Sequence, residues 1–145
     1  MSKMHYPKMH TAEHLLNQTM VRKFGCSRCF SAHINKKKSK CDYHFDRPLT
    51  LLEIDDLKHR VNLQIEKDLP VNIEMVSKKD AQKRFNLDRV PDQEVLSQLR
   101  IVCIGDYDAC PCKGSHVSST REIGVFEITT TGFEDGVLRI RFKLL

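Results

Sequence analysis

Near the end of the chain Leu138, Ile140, Phe142 and Leu144 alternate with Arg139, Arg141 and Lys143, a period of two that puts the apolar set on one face of a strand and the cations on the other. Weaker alternation over residues 40–45 predicts a partner strand. Together with a strand or irregular approach over residues 26–34, it makes a hairpin around Asn35-Lys36-Lys37-Lys38-Ser39. Val71, Ile73 and Met75 alternate with Asn72 and Glu74, giving a short strand, and residues 101–104 read as a buried strand ending at Gly105. A further strand is expected over residues 123–130, followed by a turn over 131–136.

Helical spacing fills the intervals. Ala12, Leu15, Leu16, Thr19 and Met20 recur near 3.6 residues, so a helix is expected from about His10 to Phe24. Residues 1–8, with Pro7, form a lead-in, and Gly25 is suited to the left-handed stop. On this helix His10, His14 and Asn17 fall toward another side, at the edge of a cleft. Thr50-Leu51-Leu52-Glu53 fits a capping box, and Ile54, Leu57, Val61 and Ile65 make the apolar stripe of a second helix that Pro70 stops. Ser77-Lys78-Lys79-Asp80 starts a short third helix. Residues 86–98, containing Pro91, read as a loop or weak helix. The sum is a single α+β domain, residues 1–145, with a mixed or mainly antiparallel sheet packed against two principal helices.

Composition narrows the setting. Apolar residues make up 40% and charged residues 30% of the chain, which excludes disordered and fibrous classes. The formal charge of +5 favours a polyanionic partner without naming it. No apolar leader and no apolar run of membrane-spanning length is present, so a cytoplasmic protein with no membrane partner is expected. There the six cysteines are better explained by metal binding or burial than by disulfides.

Two spaced pairs carry the chemistry. His10 and His14, at i and i+4, project from one helical face, while Cys112 and His116 lie four residues apart in a Gly-containing loop spanning residues 106–119. Two imidazoles from a helix with one thiolate and one imidazole from a loop suit tetrahedral zinc. Cys110 competes with Cys112, whose spacing to His116 allows a tight turn through Gly114. His10-Thr-Ala-Glu13-His14 also fits the His-x-x-Glu-His pattern of inverted zinc peptidases, but a Cys and a further His are foreign to that chemistry. Glu13 is either a catalytic carboxylate or a surface group near the helix start. Cys26, Cys29, Cys41 and His44 have the spacing of a second zinc set, although strand alternation puts Cys41 with Tyr43 and opposite His44.

These motifs resemble the tRNA-editing domain shared by alanyl-tRNA synthetases and their free-standing relatives, and more distantly by threonyl-tRNA synthetases. His10-Thr-Ala-Glu-His14-Leu-Leu resembles the family's His-Thr-Ala-x-His-Leu-Leu, and Cys112-Lys-Gly-Ser-His116-Val its Cys-Gly-Gly-Thr-His-Val. Thr120-Arg-Glu-Ile-Gly124 continues the second match, and Lys40-Cys-Asp42-Tyr resembles an intervening Arg-Phe-Asp-Phe strand. The chain is similar to the short free-standing form, without an aminoacylation domain or a glycine-rich barrel. Lys113, Ser115, Cys110 and Cys41 depart from the family pattern, and none of them removes a ligand.

The resemblance implies zinc held by His10, His14, Cys112 and His116, and hydrolysis of the ester on mischarged tRNA, most simply serine or glycine on alanine tRNA. By position it places Ser31 near the amino-acid pocket. Glu13 would then receive a proton or orient a pocket water. Lys36, Lys37, Lys38 and Lys40 would meet RNA phosphates, or simply solvate a hairpin tip. The competing reading is a nonenzymatic, zinc-scaffolded RNA-binding module.

Overall fold

The computed structural model describes residues 6–85 and 98–145; residues 86–97, most of the stretch read as a loop or weak helix, lie outside them. In chain order the elements are α1 (Pro7–Phe24), β1 (Ser31–His33), β2 (Ser39–His44), α2 (Leu51–Glu66), β3 (Val71–Ser77), α3 (Lys78–Arg84), β4 (Gln98–Ile104), β5 (Asp108–Pro111), a 3-10 turn (Thr120–Ile123), β6 (Phe126–Glu134) and β7 (Val137–Leu144).

α1 starts earlier than its apolar pattern, with Pro7 inside its first turn, where the missing N–H leaves no helical bond unmade. It ends as expected: Gly25 adopts φ 69° and donates its N–H to the Val21 carbonyl at 2.9 Å. The Thr50–Glu53 capping box of α2 is formed in both directions, at 3.1 and 2.9 Å.

Strands assemble into two antiparallel sheets rather than one, with orders β1-β2-β7-β6 and β3-β4-β5. The α+β class and the antiparallel pairing stand. Several boundaries differ from the pattern: β4 begins at Gln98 rather than at residue 101, and Ile123, expected to open a strand, closes the 3-10 turn while β6 starts at Phe126. β5 lies inside the segment expected to be loop, because its polar Asp108 is buried by partners remote in sequence. β6 continues to Glu134, so the reversal into β7 is confined to Asp135 and Gly136, both at positive φ, the geometry of a two-residue hairpin turn.

Leu138, Ile140 and Phe142 are fully buried and pack with Leu15, Leu16 and Met20 of α1 and Leu57 and Val61 of α2. Each such side chain contributes about 1.5–3 kcal/mol by leaving water. Val76, Ala81, Leu99 and Ile101 form a smaller cluster under the three-stranded sheet. Ile73 and Met75 of β3, by contrast, are about half exposed. α1 is more central than a one-sided helix: every residue from Met9 to Asn17 is buried, so its imidazoles lie inside the protein and not at a cleft edge.

Two polar ties fix the chain that leads into β6. The Asn62 side chain on α2 accepts from the Phe126 N–H at 2.8 Å and donates to the Phe126 carbonyl at 2.9 Å. Thr120 donates its hydroxyl to the Gln64 carbonyl and accepts from the Leu69 N–H, both at 2.8 Å. The Thr120-to-Gly124 stretch thereby anchors the loop carrying His116 to the end of α2.

Candidate metal centre

His10 and His14 stand one turn apart on α1 with ring centroids 4.9 Å apart. The His116 ring stacks on His10 at 4.0 Å and meets His14 edge-on at 4.5 Å. Cys112 Sγ lies 3.2 Å from His10 Nε2. One donor atom from each of these four residues lies within 4.8 Å of all the others, a set that could hold a metal ion. His10 and His14 are buried and Cys112 and His116 half-buried, so what exposure these residues have lies on the loop side.

The loop half is held by β4. Cys112 donates its N–H to the Arg100 carbonyl at 3.1 Å, and the Arg100 guanidinium donates to the carbonyls of Cys112 and Gly114 at 2.9 and 2.8 Å. Gly114 is needed for close approach: a Cβ there would run into the His10 ring. Cys110 is not in the cluster; it sits on β5 opposite Val102, and burial pushes its thiol up to about 11.

Each histidine has an outer partner that turns one ring nitrogen toward the centre. His10 Nδ1 is 3.1 Å from the Ser115 carbonyl, which only accepts, so Nδ1 carries the proton and Nε2 presents its lone pair. The Thr11 hydroxyl donates to the Pro7 carbonyl at 2.9 Å. With its one proton committed, it accepts from His116 Nδ1 at 2.9 Å and from the Val117 N–H at 3.2 Å. His116 Nε2 is then a buried lone pair with no hydrogen-bond partner among the described residues, which is what a ligand to an ion looks like. His14 Nδ1 faces Asp108 Oδ2 at 3.5 Å, the carboxylate–histidine arrangement common behind bound metals. Asp108 is held in turn by Gln18 at 2.8 Å and by both arms of Arg28 at 2.6 and 3.3 Å. Donors and outer partners together fit a metal ion.

Charge follows the same geometry. Burial opposes ionisation of Cys112, but the His10, His116 and His14 imidazoles packed around it outweigh burial and bring the thiol down to about 2. Burial likewise opposes the His14 cation, while Asp108 and Cys112 raise it to about 9. His116, with burial dominant, falls to about 4. For Asp108 the adjacent His14 and the Arg28 guanidinium overcome burial and hold the carboxyl well below the usual range.

Other expected residues divide. Glu13 is buried, with Oε1 3.7 Å from His10 Nε2 and Oε2 3.5 Å from Cys29 Sγ, so it is not a surface carboxylate. The spacing set Cys26, Cys29, Cys41 and His44 does not converge. Cys29 and Cys41 meet Glu13, whereas Cys26 Sγ donates to the Met20 carbonyl at 3.6 Å and His44, on the opposite face of β2 from Cys41, is exposed and stacks on Phe30 at 4.0 Å. Ser31 is half-buried on β1 opposite Asp42. Lys36, Lys37 and Lys38 are exposed between β1 and β2. Lys40 belongs instead to β2 and is paired with Asp42, which Arg139 also engages at 2.7 and 3.0 Å. Pattern reading missed Thr11, Arg28, Arg100 and Asp108; only Thr11, inside the histidine motif, had a local signal.

Fold and site define an α+β domain built around a three-histidine, one-cysteine donor set. Residues 99–141, which include Cys112 and His116, match the family described as the threonyl and alanyl tRNA synthetase second additional domain. The chain is 33% identical over 135 residues to an alanine–tRNA ligase of Petrotoga mobilis, covering 92% of this chain and 15% of that protein. It is 34% identical over 145 residues to the alanine–tRNA ligase of Oceanobacillus iheyensis, covering 94% of this chain and 16% of that one. A third, from Bdellovibrio bacteriovorus, is 30% identical over 133 residues, covering 90% and 15%. The chain is thus homologous over most of its length to a segment of alanine–tRNA ligases, and spans about 15% of the length of these relatives. No helix among the described residues is long and apolar enough to cross a membrane.

Proposed function

We propose that this chain is a cytoplasmic trans-editing hydrolase that deacylates mischarged tRNA, serine or glycine on alanine tRNA in the first instance, at zinc held by His10, His14, Cys112 and His116. The observation that carries this reading is the convergence of the four donors from α1 and the loop after β5, in a chain homologous to alanine–tRNA ligases. When bound, zinc would supply a Lewis acid that polarises or orients the aminoacyl ester.

The chain's own residues supply the rest. The half-buried Cys112 and His116 leave the loop side as the direction of approach, and Ser31 is assigned to the amino-acid pocket. Glu13 accepts or directs a proton: water adds to the ester carbonyl, the bond to the ribose oxygen breaks, and the proton passes to that oxygen as the amino acid leaves. Its buried Oε1 lies 3.7 Å from His10 Nε2, beside the proposed metal donors. Lys36, Lys37 and Lys38 extend from the hairpin to phosphates, with Lys40 contributing once it leaves Asp42, and binding weakens as salt rises.

A second reading draws on the same cluster. Four protein donors would close a tetrahedral zinc, which favours a nonenzymatic, zinc-scaffolded RNA-binding module. A deacylation panel of serine, glycine, alanine and threonine esters on cognate and mismatched tRNAs separates the two. The editing reading expects release of serine or glycine from alanine tRNA by wild type and little by His14→Ala. RNA binding with no release from any substrate would favour the scaffold.

A further inference from the structure

Glu13, Cys29 and Cys41 come from three separate parts of the fold, yet one donor atom of each lies within 4.8 Å of the other two. All three residues are buried, at 2%, 1% and 0% exposure. Glu13 is on α1, Cys29 on the segment leading into β1, and Cys41 in the middle of β2 opposite Ala32 and Ile140. The 3.5 Å between Cys29 Sγ and Glu13 Oε2 equals the roughly 3.5 Å that separates a thiolate and a carboxylate oxygen on one tetrahedral zinc, given bonds of about 2.3 and 2.0–2.2 Å.

The surroundings hold these groups in place. Asn17, one turn after Glu13, accepts from the Cys29 N–H at 3.1 Å and from the Tyr43 hydroxyl at 2.8 Å. A single side chain therefore ties α1 to both the Cys29 segment and β2. Two thiolates with one carboxylate suit zinc better than calcium or magnesium, which take oxygen ligands. Their three negative charges exceed the ion's two positive ones; the nearby Arg28 guanidinium, bound through both arms to Asp108, feels Glu13 only as a lesser influence.

We propose that Glu13, Cys29 and Cys41 form a second metal site, taking a zinc-class divalent ion and clamping α1 to β2 directly behind the first centre. Glu13 spans the two, with Oε2 facing Cys29 and Oε1 facing His10. The second ion takes Oε2, and Oε1 remains for the role proposed above. The site stands on its own residues, and editing activity can be present or absent without deciding it.

Metal content and X-ray absorption of the zinc-loaded full chain test the proposal. Wild type is expected to hold two zinc ions per chain with an average of about 1.5 sulfur ligands each, three thiolates over two tetrahedral ions. Cys41→Ser and Cys29→Ser should each retain one ion, whereas Cys26→Ser should retain two. In the cobalt-substituted protein, the double variant Cys29→Ser/Cys41→Ser should lose about two thirds of the thiolate charge-transfer absorption, leaving one thiolate of three. One ion per chain with about one sulfur in wild type, or a Cys29–Cys41 disulfide in the zinc-loaded protein, would overturn the second site. So would two ions retained by Cys41→Ser. The wild-type sulfur count needs no variant, so a misfolded substitution leaves the test intact.

Discussion

The helical and loop halves of the candidate metal centre reach the same few ångströms by different means. On α1 the spacing of His10 and His14 places both imidazoles on one side of a rigid element, and the surrounding helix is buried from Met9 to Asn17. The loop half has no such scaffold. Cys112 and His116 are held by Arg100 reaching across from β4, by the small volume of Gly114, and by the Thr11 hydroxyl. Spacing along a helix thus brings a ligand pair to one side, with Ser115 and Asp108 setting only how each ring is turned, whereas a loop pair owes its position as well to partners far away in sequence.

The largest effect is expected from breaking the helical half. His14→Ala removes a donor and takes away the imidazole that Asp108 faces, so zinc per chain at the first proposed centre should fall to near zero and ester hydrolysis with it; elemental analysis and the deacylation assay read both. Next comes the loop half. Gly114→Ala drives a methyl into the His10 ring, an overpacking cost of about 1–3 kcal/mol, and should weaken zinc retention in a chelator competition while far-ultraviolet dichroism stays unchanged.

A smaller change sharpens the contrast by leaving all four donors in place. Asp108→Asn removes the carboxylate behind His14, and zinc affinity should drop by about 10–100-fold, the usual effect of an outer partner. Smallest is Asp42→Asn, which disturbs the sheet and neither half. Asp42 is held below its ordinary value chiefly by the hydrogen bond from Arg139, against burial and with help from Lys40. Its folded value is therefore lower than its unfolded one, so its contribution is complete above about pH 4 and is lost as pH falls through the folded value. Urea midpoints from pH 6 to 3 should fall less in Asp42→Asn than in wild type, and zinc content at neutral pH should be equal.

Much of this contrast was legible in the chain. β7, the capping box of α2 and the Gly25 stop of α1 each depend on neighbours within one or two turns, and each formed as its local pattern required. β5 was hidden because Asp108 reads as a loop residue until Gln18, Arg28 and His14 surround it. The division into two sheets was hidden too, since alternation marks a strand but not its neighbours; on β3 it left Ile73 and Met75 facing outward. Four ligand candidates could be named from spacing alone, but the groups that orient them could not, because Arg100 and Asp108 act across long stretches of chain. The Cys-x-x-Cys and Cys-x-x-His spacing misled for a related reason: on β2, three residues of separation turn His44 away from Cys41.

The most direct test of a zinc-dependent editor is the rate at which serine leaves Ser-tRNA(Ala) before metal removal, after chelation, and after zinc is restored. The proposed function predicts release that is lost with the metal and recovered with it in wild type, but not recovered in His14→Ala. A rate indifferent to chelation, or no release by zinc-replete protein that still binds the tRNA, would contradict it.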